Sequence, residues 1–198
     1  MSKPLVFLDN CTWNFLYAKQ VDLLAEQGDE YSFTVSARGF LEIPRLDHPD
    51  ESVRLIGLYA HEQLNRLAAQ PANRFGFGSL GEDAPLGTAG FGSLEPDGTV
   101  TGGGYFGTLE GQTFRDDPTL HKKIGGLSGV KKTNSGLLKN ETDVDYGEWS
   151  LDFPLITDNL RDFKNAKYLI NIKDWQHGPF GDFVTSELLR LSFPVHTA

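Results

Sequence analysis

Two short apolar runs, one near each end of the chain, stop at an aspartate. Residues 4–8 (Pro-Leu-Val-Phe-Leu) precede Asp9, and residues 153–157 (Phe-Pro-Leu-Ile-Thr) precede Asp158. Apolar runs of this length are typical of buried strands. Because a parallel α/β sheet presents the carboxyl ends of its strands along one edge, where ligands bind, we expect the two aspartates to lie at the same edge.

The rest of the chain alternates between predicted helices and predicted strands. Helices are predicted at residues 12–27, 37–46, 51–69 and 140–152, strands at 31–36 and 168–172, a short turn or helix at 160–164, and a terminal strand or short helix at 183–191. This alternation is the pattern of a parallel sheet with flanking helices. We therefore expect an α/β fold in a single domain that spans residues 1–198.

A glycine-rich segment, residues 75–136, interrupts this pattern and holds most of the 22 glycines of the chain. It repeats the sequence Phe-Gly-Ser/Thr-Leu at residues 77–80, 91–94 and 106–109, and this spacing favours hairpins or ribbons over helices. The three glycines at 102–104 are not followed by the Gly-Lys-Ser/Thr of a phosphate-binding loop. We predict a β-rich structural insertion, and a lid over a binding site is the alternative.

The composition excludes several classes of protein. No apolar run approaches the roughly 20 residues that cross a bilayer, and the N-terminal apolar stretch is broken at Asp9, unlike a signal peptide. Cys11 is the only cysteine, which excludes an intrachain disulfide and a cysteine-based zinc cluster. These features predict a cytoplasmic protein with no membrane partner. The net charge of −9 argues against broad electrostatic binding of nucleic acid, so the lysine pairs at 122–123 and 131–132 form either a local basic patch or a solvated loop face.

Acidic side chains occur at four places that the predicted fold brings toward one edge of the sheet. They are Asp9, Glu42, the cluster of Glu141, Asp143 and Asp145, and Asp158. Each has a structural explanation by itself: a helix cap, an exposed helix face, a complement to a helix dipole and a turn. Gathered together, they would repel one another unless a cation neutralised them. Carboxylates suit Mg²⁺ or Mn²⁺, which prefer oxygen ligands and activate water for hydrolysis of phosphodiester bonds.

These residues resemble the motifs of the PIN-domain family of metal-dependent nucleases, which includes the VapC-type toxins. Residues 6–11 (Val-Phe-Leu-Asp-Asn-Cys) are similar to the family's first strand with its opening aspartate. Residues 154–163 are similar to the family's closing stretch, in which two apolar residues and a threonine are followed by Asp or Asn and then by Phe. Between these motifs, Glu42 lies where the family has its helical glutamate. The resemblance covers residues 4–70 and 138–175.

The resemblance implies a PIN-like three-layer α/β/α fold and a Mg²⁺- or Mn²⁺-dependent endoribonuclease. The residues that it implies as metal ligands and catalytic groups are Asp9, Glu42, Asp143 and Asp158. At the third position Glu141 and Asp145 are alternatives, and the family's fourth position falls on Asn159, directly after Asp158. The resemblance also implies RNA as the substrate, an antitoxin protein as a partner, and a homodimer.

Two other functions stay open. A PIN-like fold that has lost catalysis would act as a binding or scaffold module, and Asn159 together with the glycine-rich insertion favours this alternative. A different α/β phosphohydrolase, such as a haloacid-dehalogenase-like phosphatase, would need a second aspartate two residues after Asp9. The chain has Cys11 at that position, which counts against the phosphatase.

Overall fold

The structure is a computed structural model, and it describes residues 3–76, 88–94, 96, 100, 101 and 103–194. In chain order the elements are β1 (Leu5–Leu8), α1 (Thr12–Ala18), α2 (Leu23–Glu26), β2 (Ser32–Thr34), α3 (Ala37–Glu42), α4 (Glu51–Arg66), β3 (Arg74–Phe75), β4 (Thr88–Ala89), β5 (Ser93–Leu94), β6 (Val100–Thr101), α5 (Leu109–Asp116), α6 (Glu141–Trp149), β7 (Leu155–Thr157), β8 (Leu169–Asn171) and α7 (Phe180–Arg190). A short 3₁₀ turn follows β8 at Ile172–Asp174.

A four-stranded sheet with the order β2-β1-β7-β8 forms the centre of the molecule. All its neighbouring strands pair in parallel, with Phe7 opposite Leu155 and Ile156 opposite Ile170. The α/β prediction with a parallel sheet is therefore confirmed. Because β1 and β7 are adjacent, the residues that follow them, Asp9 and Asp158, emerge at the same edge.

Helices cover both faces of the sheet. Successive side chains of a strand point to opposite sides, so each face presents apolar side chains for helices to pack on. Val6 and Leu8 of β1 belong to the larger apolar cluster, which includes side chains of α1, α4 and α7. Phe7 points the other way and packs against Trp149 of α6, with ring centroids 4.7 Å apart. The arrangement is compatible with three layers, α/β/α.

Two predicted helices are shorter than the sequence pattern indicates. The helix predicted at 12–27 is two helices, α1 and α2, because Gln20 has a positive φ of 52° and the side chain of Asp22 caps a new helix start. The helix predicted at 37–46 ends at Glu42, since Pro44 cannot continue it. Helix α4 is confirmed with Asp50 as its cap. The segment predicted as a terminal strand or short helix at 183–191 is helical and belongs to α7.

The described part of the glycine-rich segment is only partly β-structure. Its strands β3 to β6 have two residues each. The prediction of a β-rich insertion is wrong for the second half, where α5 is an eight-residue helix capped by the side chain of Thr108. The repeat does not produce a repeated structure: residues 91–94 end in strand β5, residues 106–109 lead into α5, and the copy at 77–80 lies outside the described residues.

Helix α5 joins this segment to the core. Phe114 of α5 is buried in a cluster with Val144 and Leu151. Its ring lies against Gly147 of α6, where a Cβ atom would come within 2.8 Å of the ring. The longest helix, α4, has 16 residues. Within the described ranges, no helix has the length and apolar character to cross a membrane.

Candidate active site

Asp9 lies directly after β1 and is 9% exposed. Its Oδ2 accepts hydrogen bonds from the hydroxyl of Thr157 at 2.6 Å and from the thiol of Cys11 at 3.1 Å, and its Oδ1 accepts one from the backbone N–H of Asn10 at 2.7 Å. The helix-cap explanation does not describe this side chain, since the main-chain carbonyl of Asp9, rather than its carboxylate, accepts from Thr12. The carboxylate is thus fixed in place between the ends of two strands.

Glu42 is the last residue of α3 and is half-buried. The Nδ2 of Asn10 donates to its Oε2 at 3.5 Å, so the chain segment after β1 connects the Asp9 and Glu42 carboxylates. Close packing of α3 on α6 makes this possible: a Cβ on Gly39 would overlap the hydroxyl of Tyr146, and that hydroxyl donates to the Leu8 carbonyl at 2.8 Å. The exposed-face explanation for Glu42 therefore does not fit its surroundings.

The three acids of α6 have different environments. Arg38 donates to Oε1 of Glu141 and to Oδ1 of Asp145, each at 3.0 Å. Arg115 of α5 pairs with Asp145 as well, at 3.2 Å. Asp143 is outside this arginine network, and its negative charge raises the pKa of Glu42. Among the three acids of α6, Asp143 is therefore the one whose charge adds to the effect of burial on the pKa of Glu42.

The residues after β7 contact both the surroundings of Asp9 and residues farther from it. Asp158 donates its backbone N–H to the sulfur of Cys11 at 3.3 Å, while its carboxylate pairs with Lys173 at 3.2 Å. Asn159 donates from Nδ2 to Oδ2 of Asp162 at 2.7 Å. The backbone of Asp158 therefore lies near Asp9, but the carboxylate of Asp158 pairs with Lys173.

Asp162 is an acid at this site that the sequence analysis did not select. Its side chain is 11% exposed and forms an ion pair with Lys122, which also lies 3.9 Å from Asp143. Asp162 lies within the predicted short turn or helix at 160–164 and follows Asp158 by four residues. That spacing would place the two acids on one side of such a turn, and it was the available signal.

Three of the candidate carboxyl groups have raised pKa values. For Asp9, Glu42 and Asp143 the largest cause is burial, which disfavours the charged form. Neighbouring acids add to it: Asp158 acts on Asp9, Asp143 and Asp9 act on Glu42, and Asp162 and Asp9 act on Asp143. The site thus holds one buried and two partly buried carboxyl groups that are close enough to repel one another.

The chemistry of these groups suits a hard divalent cation, because they offer carboxylate oxygens whose charged form is disfavoured by burial and by neighbouring acids. Two buried polar atoms belong to residues that lie beside Glu42. Oδ1 of Asn10 has no hydrogen-bond partner, and Oγ1 of Thr142 makes no bond of standard geometry although it lies near Glu42 and lowers the pKa of that carboxyl. However, among the residues described, no three His, Cys, Asp or Glu side chains are grouped so that they could hold a metal ion. The donor types suit a divalent cation, but the side chains do not surround a single point.

A cavity of about 380 Å³ opens beside Glu42. Its walls come from the α3–α4 connection and from the glycine-rich segment, and they include Leu41, Arg45, His48 and Asn134. A substrate bound at the acids would have this open space next to it.

Comparison with known proteins adds no relative at this point. No protein-family model, no curated protein and no solved structure matches the chain. The geometry of the site is therefore what supports a function.

Proposed function

We propose that the protein is a metal-dependent endoribonuclease with a PIN-like fold, which hydrolyses RNA phosphodiester bonds at the acids of the sheet edge. The single observation that carries the proposal is the electrostatic interaction among Asp9, Glu42 and Asp143, in which the charge of Asp9 acts on Glu42 and Asp143 and that of Asp143 acts on Glu42. These residues come from β1, α3 and α6, and each of them has a pKa raised by burial and by the charge of another acid. Buried carboxyl groups that raise one another's pKa are characteristic of functional sites.

In this proposal Asp9, Glu42 and Asp143 bind Mg²⁺ or Mn²⁺, and the bound cation supplies an activated water and offsets charge on the phosphate. The residues around the acids set their positions. Thr157 and Cys11 hold the Asp9 carboxylate, and Asn10 holds Glu42. No protein nucleophile is needed for such a hydrolysis.

The fourth acid of the proposal is Asp158, with Asp162 as a further acid of the same edge. Asp158 would join the site only if its ion pair with Lys173 opened. In its present position it acts through its charge, which raises the pKa of Asp9. Asn159 contributes an amide that orients Asp162.

RNA is the proposed substrate. The family resemblance adds an antitoxin protein and a homodimer to the proposal, and the composition adds a cytoplasmic location. A second candidate function is a binding or scaffold module without catalysis. The observation that favours it is the ion pairing of Lys122 with Asp143 and Asp162, which neutralises part of the acidic edge without a metal.

The test is cleavage of single-stranded RNA by the purified protein with Mg²⁺, with Mn²⁺ and with EDTA. We expect cleavage only with a divalent cation, and none by the Asp9→Asn variant. Asp29→Asn is the matched control, because the side chain of Asp29 is fully exposed and remote from the site. RNA binding without cleavage under all conditions would instead favour the scaffold function, and equal cleavage by Asp9→Asn and wild type would reject the assigned role of Asp9.

A further inference from the structure

Lys122 brings a positive charge from the glycine-rich segment into the acidic edge. Its Nζ forms an ion pair with Asp162 and lies 3.9 Å from Oδ2 of Asp143. These two acids come from different parts of the chain, one from α6 and one from the turn after β7. Lys122 therefore connects them as a shared cationic partner.

Little space is left around this ammonium group. The void lined by Phe114, His121, Lys122, Asp143 and Asp162 has a volume of about 10 Å³. This is at the lower limit of what one water molecule needs. A cation with its remaining water ligands does not fit there while the lysine is in place.

The charge of Lys122 acts on only part of the acidic edge, the part that contains Asp143 and Asp162. In this part, burial of Asp162 is outweighed by Lys122 and Asn159, so that the pKa of Asp162 is lowered. In the rest of the edge, none of the ion pairs found within the described residues involves Asp9 or Glu42, and the pKa values of both are raised. Of Asp162, Asp9 and Glu42, only Asp162 has its negative charge compensated by a cation.

The lysine side chain can leave without a rearrangement of its loop. The backbone is held separately, since Nδ2 of Asn140 donates to the Lys123 carbonyl at 2.9 Å and Nδ1 of His121 lies 2.9 Å from the Lys122 carbonyl. The Lys122 side chain itself is 50% exposed. Its flexible stem gives the ammonium group a route into solvent.

We propose that Lys122 is a built-in counter-ion of the acidic edge, which occupies the Asp143–Asp162 side and competes with a divalent cation for it. The proposal rests on the proposed function, because it assumes that these acids bind a metal. In this proposal Asp143 and Asp162 share the lysine in the absence of metal, and a divalent cation would take its place between the two carboxylates.

The competition predicts that removal of the Lys122 charge strengthens metal binding. The experiment is a titration of the full chain with Mn²⁺, with free Mn²⁺ measured by electron paramagnetic resonance. We expect Lys122→Gln and Lys122→Met to bind Mn²⁺ about tenfold more tightly than wild type, the size of effect that outer-shell partners of metals produce. Lys122→Arg, which keeps the charge, should bind like wild type. The matched control is Lys123→Gln, since the exposed Lys123 Nζ contacts only the Leu127 carbonyl, at 3.5 Å, in the hydrogen bonds of the described chain.

The outcomes separate this inference from the proposed function. Equal or weaker Mn²⁺ binding by both neutral variants, with measurable binding by wild type, would overturn the role of Lys122 and leave the metal site standing. Absence of Mn²⁺ binding by every protein would overturn both. Circular dichroism in EDTA shows that each variant is folded, and having two neutral variants of different polarity keeps the test valid if one of them fails to fold.

Discussion

The hydroxyl of Thr157 donates a 2.6 Å hydrogen bond to Oδ2 of Asp9. Thr157 is fully buried at the end of β7, and Asp9 follows the adjacent strand β1. The same hydroxyl oxygen accepts the backbone N–H of Asn159 at 2.9 Å. One side chain therefore fixes both the orientation of the first acid and the turn that carries the last ones.

We expect Thr157→Val to weaken both the fold and the activity. Valine keeps the shape but leaves the Asp9 carboxylate and the Asn159 N–H without this partner, which costs about 1–3 kcal/mol for a buried group. The loss is measured by denaturant unfolding, and cleavage of RNA should fall with it. Thr157→Ser retains the hydroxyl and is the control. If the valine variant matched the serine variant in both measurements, the hydroxyl would have no role.

The acids of α6 should separate into structural and functional residues. We expect Asp145→Asn to lower the free energy of unfolding by about 3–5 kcal/mol, because Arg38 and Arg115 lose a buried charged partner. Asp143→Asn should change stability by no more than about 1 kcal/mol, since its contact with Lys122 is partly exposed, and it should abolish cleavage. If instead Asp143→Asn lost stability and Asp145→Asn lost only cleavage, the catalytic role would belong to Asp145 and not to Asp143.

The sequence pattern predicted the sheet and the position of Asp9 because both depend on local features: a short apolar run, and an aspartate after it. It could not decide among the acids of α6. Their spacing is compatible with each of them, and the decision depends on Arg38 and Arg115, which are distant in the chain. Helix α5 was missed for a related reason, since glycines around it weaken the helical pattern and its stability comes from packing of Phe114 on α6.

Burial and mutual repulsion of the acids predict a specific dependence of stability on pH. The pKa of Asp9 is raised in the folded protein from its ordinary value of 3.8, so above that value the folded state binds more protons than the unfolded state. The free energy of unfolding therefore loses this contribution as the pH rises through the interval between the two pKa values. Asp9→Asn removes the effect, and its stability relative to wild type should increase from about pH 4 toward neutral pH.

The measurement is a series of denaturant titrations of wild type and Asp9→Asn in EDTA across this range. Comparison of the two proteins cancels the contributions of acids with lowered pKa values, such as Asp22 and Asp50. A difference in stability that stayed constant with pH would show that the Asp9 carboxyl does not titrate differently in the folded and unfolded states.

The glycine-rich segment should contribute to the stability of the core through α5. We expect Phe114→Ala to cost about 3–5 kcal/mol, because the ring is 5% exposed and packs on α6. Leu109→Ala on the same helix is the control, since Leu109 is 80% exposed, and it should change stability by no more than about 0.5 kcal/mol. Thermal unfolding followed by circular dichroism compares the two. Similar small losses in both variants would mean that α5 does not support the fold.

The most direct test of the account is a crystal structure of the protein grown with Mn²⁺, with anomalous diffraction used to locate the ion. We predict an anomalous peak at coordination distance from the carboxylate of Asp9 and from at least one of Glu42 and Asp143, with the Lys122 side chain displaced from Asp143. A saturated crystal with no peak at these carboxylates, or with Mn²⁺ bound only elsewhere, would contradict the proposed metal-dependent site.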